Sequence, residues 1–259
     1  MGLNNLQTGG TGGISPGGLR NLTEISAIPD NVVNNMDHYY PTGEGAGTTL
    51  TDNGASEDFA ITSPNWVSGD GRGGFYLDYD GSNTYCENTN GSVWSVDTFT
   101  WLLWINPDTL SSSQRVLVAA DDGSTGAAYD IDIGFQTSNE LGIFLSGGDG
   151  GSNISISTSA VSADAWNCVV MRADNGNQVA LRHGLASDSS LTTVATQNYD
   201  SGTDAIGRLV YGERVDDGDG STLGEKFDGG YDFPMANVST ALTDTVTDDI
   251  FANTKGNFA

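Results

Sequence analysis

The chain has 259 residues, enough to bury a sizeable core as one large β-rich domain or two small ones. Its 27 Asp and 7 Glu against 7 Arg and 2 Lys give a net charge of −25, which repels phosphate backbones and anionic headgroups and so excludes nucleic acid and membrane surfaces as partners. The acidity is not that of a disordered chain, because 5 Trp, 9 Tyr and 9 Phe recur in clusters.

Taken in order, the first thirty residues carry paired glycines at 9–10, 12–13 and 17–18 between isolated apolar residues, among them Leu3, Ile14 and Leu22. Such a segment makes no core of its own. It is expected to be either a flexible tail or an arm for assembly or attachment that orders on a neighbouring subunit. It has no basic stretch followed by an apolar run, so no Sec-type leader is expected. The longest apolar stretch, residues 101–105, is far short of the ~20 residues of a membrane span.

From about position 31 onward, short period-2 segments alternate with Gly/Asp/Ser turns, which predicts one β-sandwich over 31–259. Tyr129, Ile131, Ile133 and Phe135 alternate with Asp130 and Asp132, as in a strand with one buried and one wet face. Phe99, Trp101, Leu103 and Ile105 lie opposite Leu102 and Trp104, so both faces are apolar and this strand belongs mid-sheet. Further strands are predicted at 75–79, 116–120, 141–145, 154–158, 167–171, 179–182, 191–196, 207–211 and 226–237. Only the end of the chain invites a helix, with Thr245 and Asp248 in a capping pattern, Val246 and Ile250 on one face and Gly256 as terminator.

The acid excess has a further feature: Asp outnumbers Glu almost fourfold and Lys has nearly vanished. Short carboxylates hold water and cations, whereas a Lys stem adds apolar surface that concentrated salt drives together. The pattern predicts a protein of molar salt. The rival is a calcium-loaded extracellular protein. Spacing also offers an EF-hand-like run of Asp217, Asp219, Ser221, Glu225 and Asp228, although Thr222 stands where that loop needs glycine. His38 and His183 are isolated, so transition-metal ligation has little support. Cys86 and Cys168 form either one bridge or, as favoured by a core of this size, two small apolar core residues. Sequons occur at Asn21, Asn90, Asn153 and Asn237.

Five motifs in order carry a family resemblance. They are the stretch 43–52, with Glu44, Gly45, Gly47, Thr48, Thr49 and Asp52; Leu77, Asp78, Tyr79, Asp80, Gly81 and Tyr85; Phe99, Thr100, Trp104 and Pro107; Trp166 and Val169 followed by 179–184; and Phe227, Gly229 and Asp232 followed by Leu242, Thr243 and Ile250. Over 32–256 the chain resembles the laminin-G-like, concanavalin A-like jelly-roll domains. The resemblance implies an all-β sandwich and a role in binding glycans or proteins at surfaces, with glycoside hydrolases among the relatives. It also implies that carboxylates near the Asp78–Asp80 strand and the last strand, Asp228 and Asp232, bind calcium. Sugar stacking would fall to exposed aromatics, for which Trp66, Tyr129 and Tyr231 are the candidates.

A retaining glycosidase needs two carboxylates about 5 Å apart, and the related glucanases carry E-x-D-x-x-E on one strand; none of the seven Glu has that spacing. The stretch 119–126 only partly matches a sialidase Asp-box and reads as a turn. The expectation is therefore a non-enzymatic structural protein of a halophilic archaeal virus, on the virion surface as a turret, decoration or tail-fibre subunit. It would associate as a homo-oligomer and with other virion proteins, and touch a host glycan or protein. The alternatives are a glycoside hydrolase on the same fold and a cellular halophilic lectin or adhesin.

Overall fold

The computed structural model describes residues 30–69, 71, 74–90, 94, 97–111, 114–121, 131–135, 140–145, 154–158, 161–200, 206–213 and 225–258. Tyr129, Asp130, Asp217, Asp219 and the N-terminal arm lie outside them. In chain order the elements are α1 (Asp30–Asn35), β1 (His38–Tyr39), β2 (Thr49–Leu50), β3 (Phe59–Thr62), β4 (Trp66–Ser68), β5 (Phe75–Asp80), β6 (Tyr85–Asn88), β7 (Thr98–Pro107) and β8 (Arg115–Asp121). Then come β9 (Ile131–Phe135), β10 (Leu141–Leu145), β11 (Ile154–Thr158), β12 (Asn167–Asp174), β13 (Gln178–Leu185), β14 (Thr192–Asn198), β15 (Ile206–Tyr211), β16 (Asp228–Asn237) and α2 (Asp244–Thr254), followed by a 3-10 turn, Lys255–Asn257.

Two antiparallel sheets result. The first runs β14-β13-β12-β7-β16-β5-β4, with β1 added to β16, and the second runs β11-β10-β9-β8-β15-β6-β3-β2. Neighbours such as β7 and β16 are far apart in sequence, the long-range pairing of a jelly roll. Between the sheets lies the main core, with Phe99, Trp101, Leu103 and Ile105 of β7 facing Ile131, Ile133 and Phe135 of β9.

The apolar second face of β7 has its own explanation. Leu102 and Trp104 point away from the second sheet into a smaller core with Trp166, Ile250, Phe251 and Phe258. Trp104 stacks on Phe251 at 5.5 Å and on Phe258 at 4.3 Å, and its indole N–H donates to Thr254 at 3.2 Å. The first sheet is thus the middle of three layers, covered outside by α2 and the C-terminal turn.

Three expectations are corrected. A short helix, α1, opens the domain where only strands were foreseen; its Val32 is buried in the outer core. The N-cap of α2 is Thr243, whose hydroxyl accepts from Val246 N–H at 3.4 Å, two residues before Thr245. Asp132 is not on a wet face: it is 5% exposed and pairs with Arg115 at 2.7 Å. Cys86 and Cys168 are free, buried in the inner and outer cores respectively, so the first sheet separates them. Asn237 is also buried, its amide donating to the Asn35 carbonyl at 2.8 Å, which removes it as a glycan acceptor.

Candidate functional site

The expected calcium carboxylates lie on the outer face of the first sheet but do not assemble. On β5, Leu77 and Tyr79 face the core, which turns Asp78 and Asp80 outward. Asp80 lies opposite Asp228, and Asp78 opposite Gly230. The Asp80 carboxylate accepts from the N–H groups of Ser82, Asn83 and Thr84 at 2.9, 2.7 and 3.2 Å, and so closes the turn after its own strand. These hydrogen bonds hold its carboxyl below the usual range. Asp78 accepts from the Asn65 amide at 2.9 Å, and Asp228 from the Thr109 hydroxyl at 3.0 Å.

Asp108, at the end of β7, completes an acidic corner. Burial and then the charges of Asp108 and Asp228 push the Asp78 carboxyl up; burial and then Asp228 and Asp164 push Asp108 up. These carboxylates repel one another. Among the described residues no three acidic, His or Cys side chains converge as a metal-holding group.

Asp232 is elsewhere and has another task. Four residues along β16 place it about 13 Å from Asp228, and it is fully buried. Its Oδ1 accepts from Phe233 N–H at 2.6 Å. Phe233 has a φ of +43°, at the bulge where β16 slips against β7 between Asp232 and Met235. Asp232 therefore staples a strained bulge that turns Phe233 and Met235 into the outer core.

The aromatic candidates fare similarly. Tyr231 is fully buried in the main core, 5.1 Å from Tyr211 and 5.4 Å from Tyr79, because its strand position alternates with outward-facing Gly230 and Asp232. It offers no stacking face. Trp66 is half-buried on the edge strand β4, packs on the main core and donates its N–H to the Gly47 carbonyl at 3.0 Å.

Motif residues and histidines prove to be fasteners. Asp52 accepts from the His38 ring at 2.8 Å and from the N–H groups of Tyr39, Gly54, Ala55 and Glu57 at 3.2, 2.8, 3.1 and 3.0 Å. Burial pushes its carboxyl up, but the bonds from His38, Gly54 and Glu57 outweigh this and leave it below the usual range. The His38 ring packs against Trp94 in a tilted arrangement, with centroids 4.7 Å apart. His183 Nε2 donates to the side-chain amide oxygen of Asn167 at 3.0 Å, and burial keeps its ring below the usual histidine range against the pull of Asp188.

What the sequence did not single out is a polar groove where the β12–β13 hairpin meets the start of α2. A cavity of about 310 Å³ is floored by Arg172, Asp174 and Gln178 and walled by Ala241, Thr243 and Asp244. Asn177, at the hairpin turn, joins it to a second cavity of about 410 Å³ lined by Gly176, Asn198, Tyr199 and Asp200. Arg172 Nη1 is held by the Leu242 carbonyl at 3.0 Å and by Asp244 at 2.5 Å. No local spacing signals the groove, since its walls come from segments some seventy residues apart in sequence.

Deeper under the same helix, buried Arg182 of β13 donates to both Asp248 oxygens at 3.1 and 3.2 Å. It also donates to the Asp244 and Leu191 carbonyls at 3.1 and 3.2 Å and to the hydroxyls of Thr247 and Thr193. It fixes the helix that forms the groove's wall.

No curated protein is similar enough in sequence to match. Among solved structures, the chain is similar to domain 4 of AbnA, a GH43 extracellular arabinanase from Geobacillus stearothermophilus, in complex with arabinotriose. The identity is 16%, 83% of this chain and 98% of that one are covered, and the TM-score is 0.58. The binding domain of Paraclostridial Mosquitocidal Protein 1 is similar at 13% identity, covering 85% of this chain and 52% of that one, with a TM-score of 0.61. The binding domain of Botulinum neurotoxin DC in complex with rat synaptotagmin II gives 12%, 85%, 52% and 0.56 in the same order. The chain thus spans about half the length of the toxin structures that it resembles. At these identities the likeness shows the fold. Residues 80–221, just over half of the chain, match the third laminin-G family model, and the chain belongs to the concanavalin A-like lectin/glucanases superfamily.

Proposed function

We propose that the protein is a non-enzymatic binding module that engages a glycan or a protein receptor at a surface. The observation that carries this reading is membership of a lectin-type superfamily, joined to a sandwich whose outer face keeps an open polar groove. It is supported by what similarly folded domains hold: arabinotriose in one case, rat synaptotagmin II or SialylT in others. An array of neutral and charged oligosaccharides, probed with the full chain in molar salt, tests it. Saturable, competable binding is expected; failure to bind any glycan or host-surface protein would overturn the reading.

The setting that we propose is the surface of a virus particle in concentrated salt, with the chain as a homo-oligomeric turret, decoration or fibre subunit. The composition supports it: short carboxylates, almost no Lys, and a glycine-rich segment with isolated apolar residues at positions 1–30. Mass spectrometry of purified particles, with copy number, tests this setting, and absence from particles would overturn it. The superfamily also holds glucanases, which gives hydrolysis as a second reading, with the acidic corner where Asp80 lies opposite Asp228, beside Asp78 and Asp108, as the place for its carboxylates. Release of reducing sugar from a host polysaccharide, abolished by Asp108→Asn, would establish that reading in place of the first.

A further inference from the structure

We infer that the groove at the β12–β13 hairpin is a binding site for a neutral saccharide, an assignment that rests on the glycan-binding reading above. Each of its two cavities, about 310 and 410 Å³, falls in the lower part of the range of about 300–1,000 Å³ typical of small-molecule sites. Their lining mixes planar polar groups, one guanidinium, three amides and three carboxylates, with the apolar surface of Ala241 and Tyr199. Sugar hydroxyls both donate and accept, and carboxylates beside amides and a guanidinium answer both needs.

The hydrogen-bonding capacity is there to be used. Only Nη1 of Arg172 is engaged by the described residues, which leaves the Nε and Nη2 hydrogens for a ligand. The side chain of Gln178 makes no hydrogen bond among the described residues, while Asn177 is steadied by its bond to Asp174 at 2.9 Å. A fixed donor on one side and an idle amide on the other suit a ligand with adjacent hydroxyls.

Charge selects the class. Asp174, Asp200 and Asp244 outnumber Arg172 within the groove, and the chain as a whole stands at −25. An anionic sugar is repelled at both scales. A neutral one is indifferent to the long-range field, so its affinity holds at every salt concentration while that of a charged ligand does not.

The test is titration calorimetry of the full chain against neutral pentose and hexose oligosaccharides, arabinotriose among them, with a sialylated trisaccharide as the anionic control, at low and molar salt. Hydrogen-exchange protection reports the footprint. Binding of a neutral oligosaccharide is expected, changed less than twofold by salt, with protection at 174–178 and 241–244. Gln178→Ala, on a half-buried side chain with no structural bond, should weaken it about fivefold with unchanged melting. Binding that Gln178→Ala leaves intact, with protection elsewhere, overturns the site while the glycan reading survives. Preference for the anionic sugar overturns the ligand class, and no binding to any sugar overturns both.

Discussion

Arg182→Met should cost about 3 kcal/mol, because it removes the guanidinium that ties helix α2 to the outer face of the first sheet. The side chain is 4% exposed and the carboxylate of its partner Asp248 is 36% exposed. Hydrogen bonds to charged groups are each worth about 1.5–3 kcal/mol, so a plain sum over six acceptors would far exceed what one residue can contribute. Two effects reduce it. Asp248 rehydrates once released, as half-exposed charges do, and methionine refills the aliphatic volume, as in other replacements of buried ion pairs. The residual loss is mainly the stranded carbonyls of Leu191 and Asp244 and the loosened helix. At about 2–4 °C per kcal/mol for a domain of this size, the melting temperature should fall by roughly 6–12 °C. Urea titration followed by tryptophan fluorescence reads it directly, since Trp104 lies under α2 against Phe251. Asp248→Asn in the Arg182→Met background should add little, because both act through one network. A loss below about 1 kcal/mol, or fully additive single variants, would refute the reasoning.

Three further outcomes follow from the same contacts. Asp78→Asn should raise the melting temperature by about 1–3 °C at low salt and by less in molar salt, since it relieves the burial of a charge, which salt leaves unchanged, and a repulsion from Asp108 and Asp228, which salt screens; a gain equal at both salts would show that the repulsion contributes nothing. His183 has a lowered folded pKa, so below its unfolded value of about 6.5 the unfolded chain takes up a proton that the native ring refuses. Stability should fall as pH drops from about 6.5 through the folded value, and His183→Gln should flatten that slope in urea melts. Asp52 has the opposite chemistry and the same sign: its lowered carboxyl contributes stability above the unfolded value of about 3.9 that is lost as pH falls through the folded one. Asp52→Asn should therefore lose a few kcal/mol near neutrality, and its stability should no longer decline in acid by that step.

Much of the fold was legible because the main core is built from alternation. The strands foreseen at 141–145 and 154–158 have those bounds, and the double-faced run in β7 did mark a central strand. What covers its second face was not legible. Trp104 reads as apolar whether it meets another sheet or a helix, and only the fold brings Phe251 and Phe258 over it. Sites were harder for a related reason. In so acidic a chain Asp78, Asp80, Asp228 and Asp232 looked alike, yet one closes a turn, one staples a bulge and two repel each other. Tyr231 seemed a loop aromatic beside its glycines, but Gly230 is there to admit Tyr76 and Trp166, since a Cβ would stand 3.1 Å and 3.2 Å from their rings. Partners that decide these roles lie far away in sequence, as Arg182 and Asp248 do, at 66 positions.

The few cations give the net charge its structural meaning. Among the described residues they are Arg115, Arg172, Arg182, Arg208, Lys226 and Lys255, and every one has at least one partner within the chain. Arg115 joins Asp132 to Glu225, Arg172 and Arg182 hold the start of α2, Arg208 meets Glu87, Lys226 meets Glu213, and Lys255 lies over Phe251 and donates to the Asp188 carbonyl. Positive charge is thus spent on joining segments and not on balancing the surface. The exposed carboxylates are left to water and dissolved cations, which screen their mutual repulsion in proportion to ionic strength. Such a surface slows the approach of any anion and gathers cations without discrimination. Selectivity must then come from short-range hydrogen bonding in a place that owns both donors and acceptors, as the groove around Arg172, Gln178 and Asn177 does.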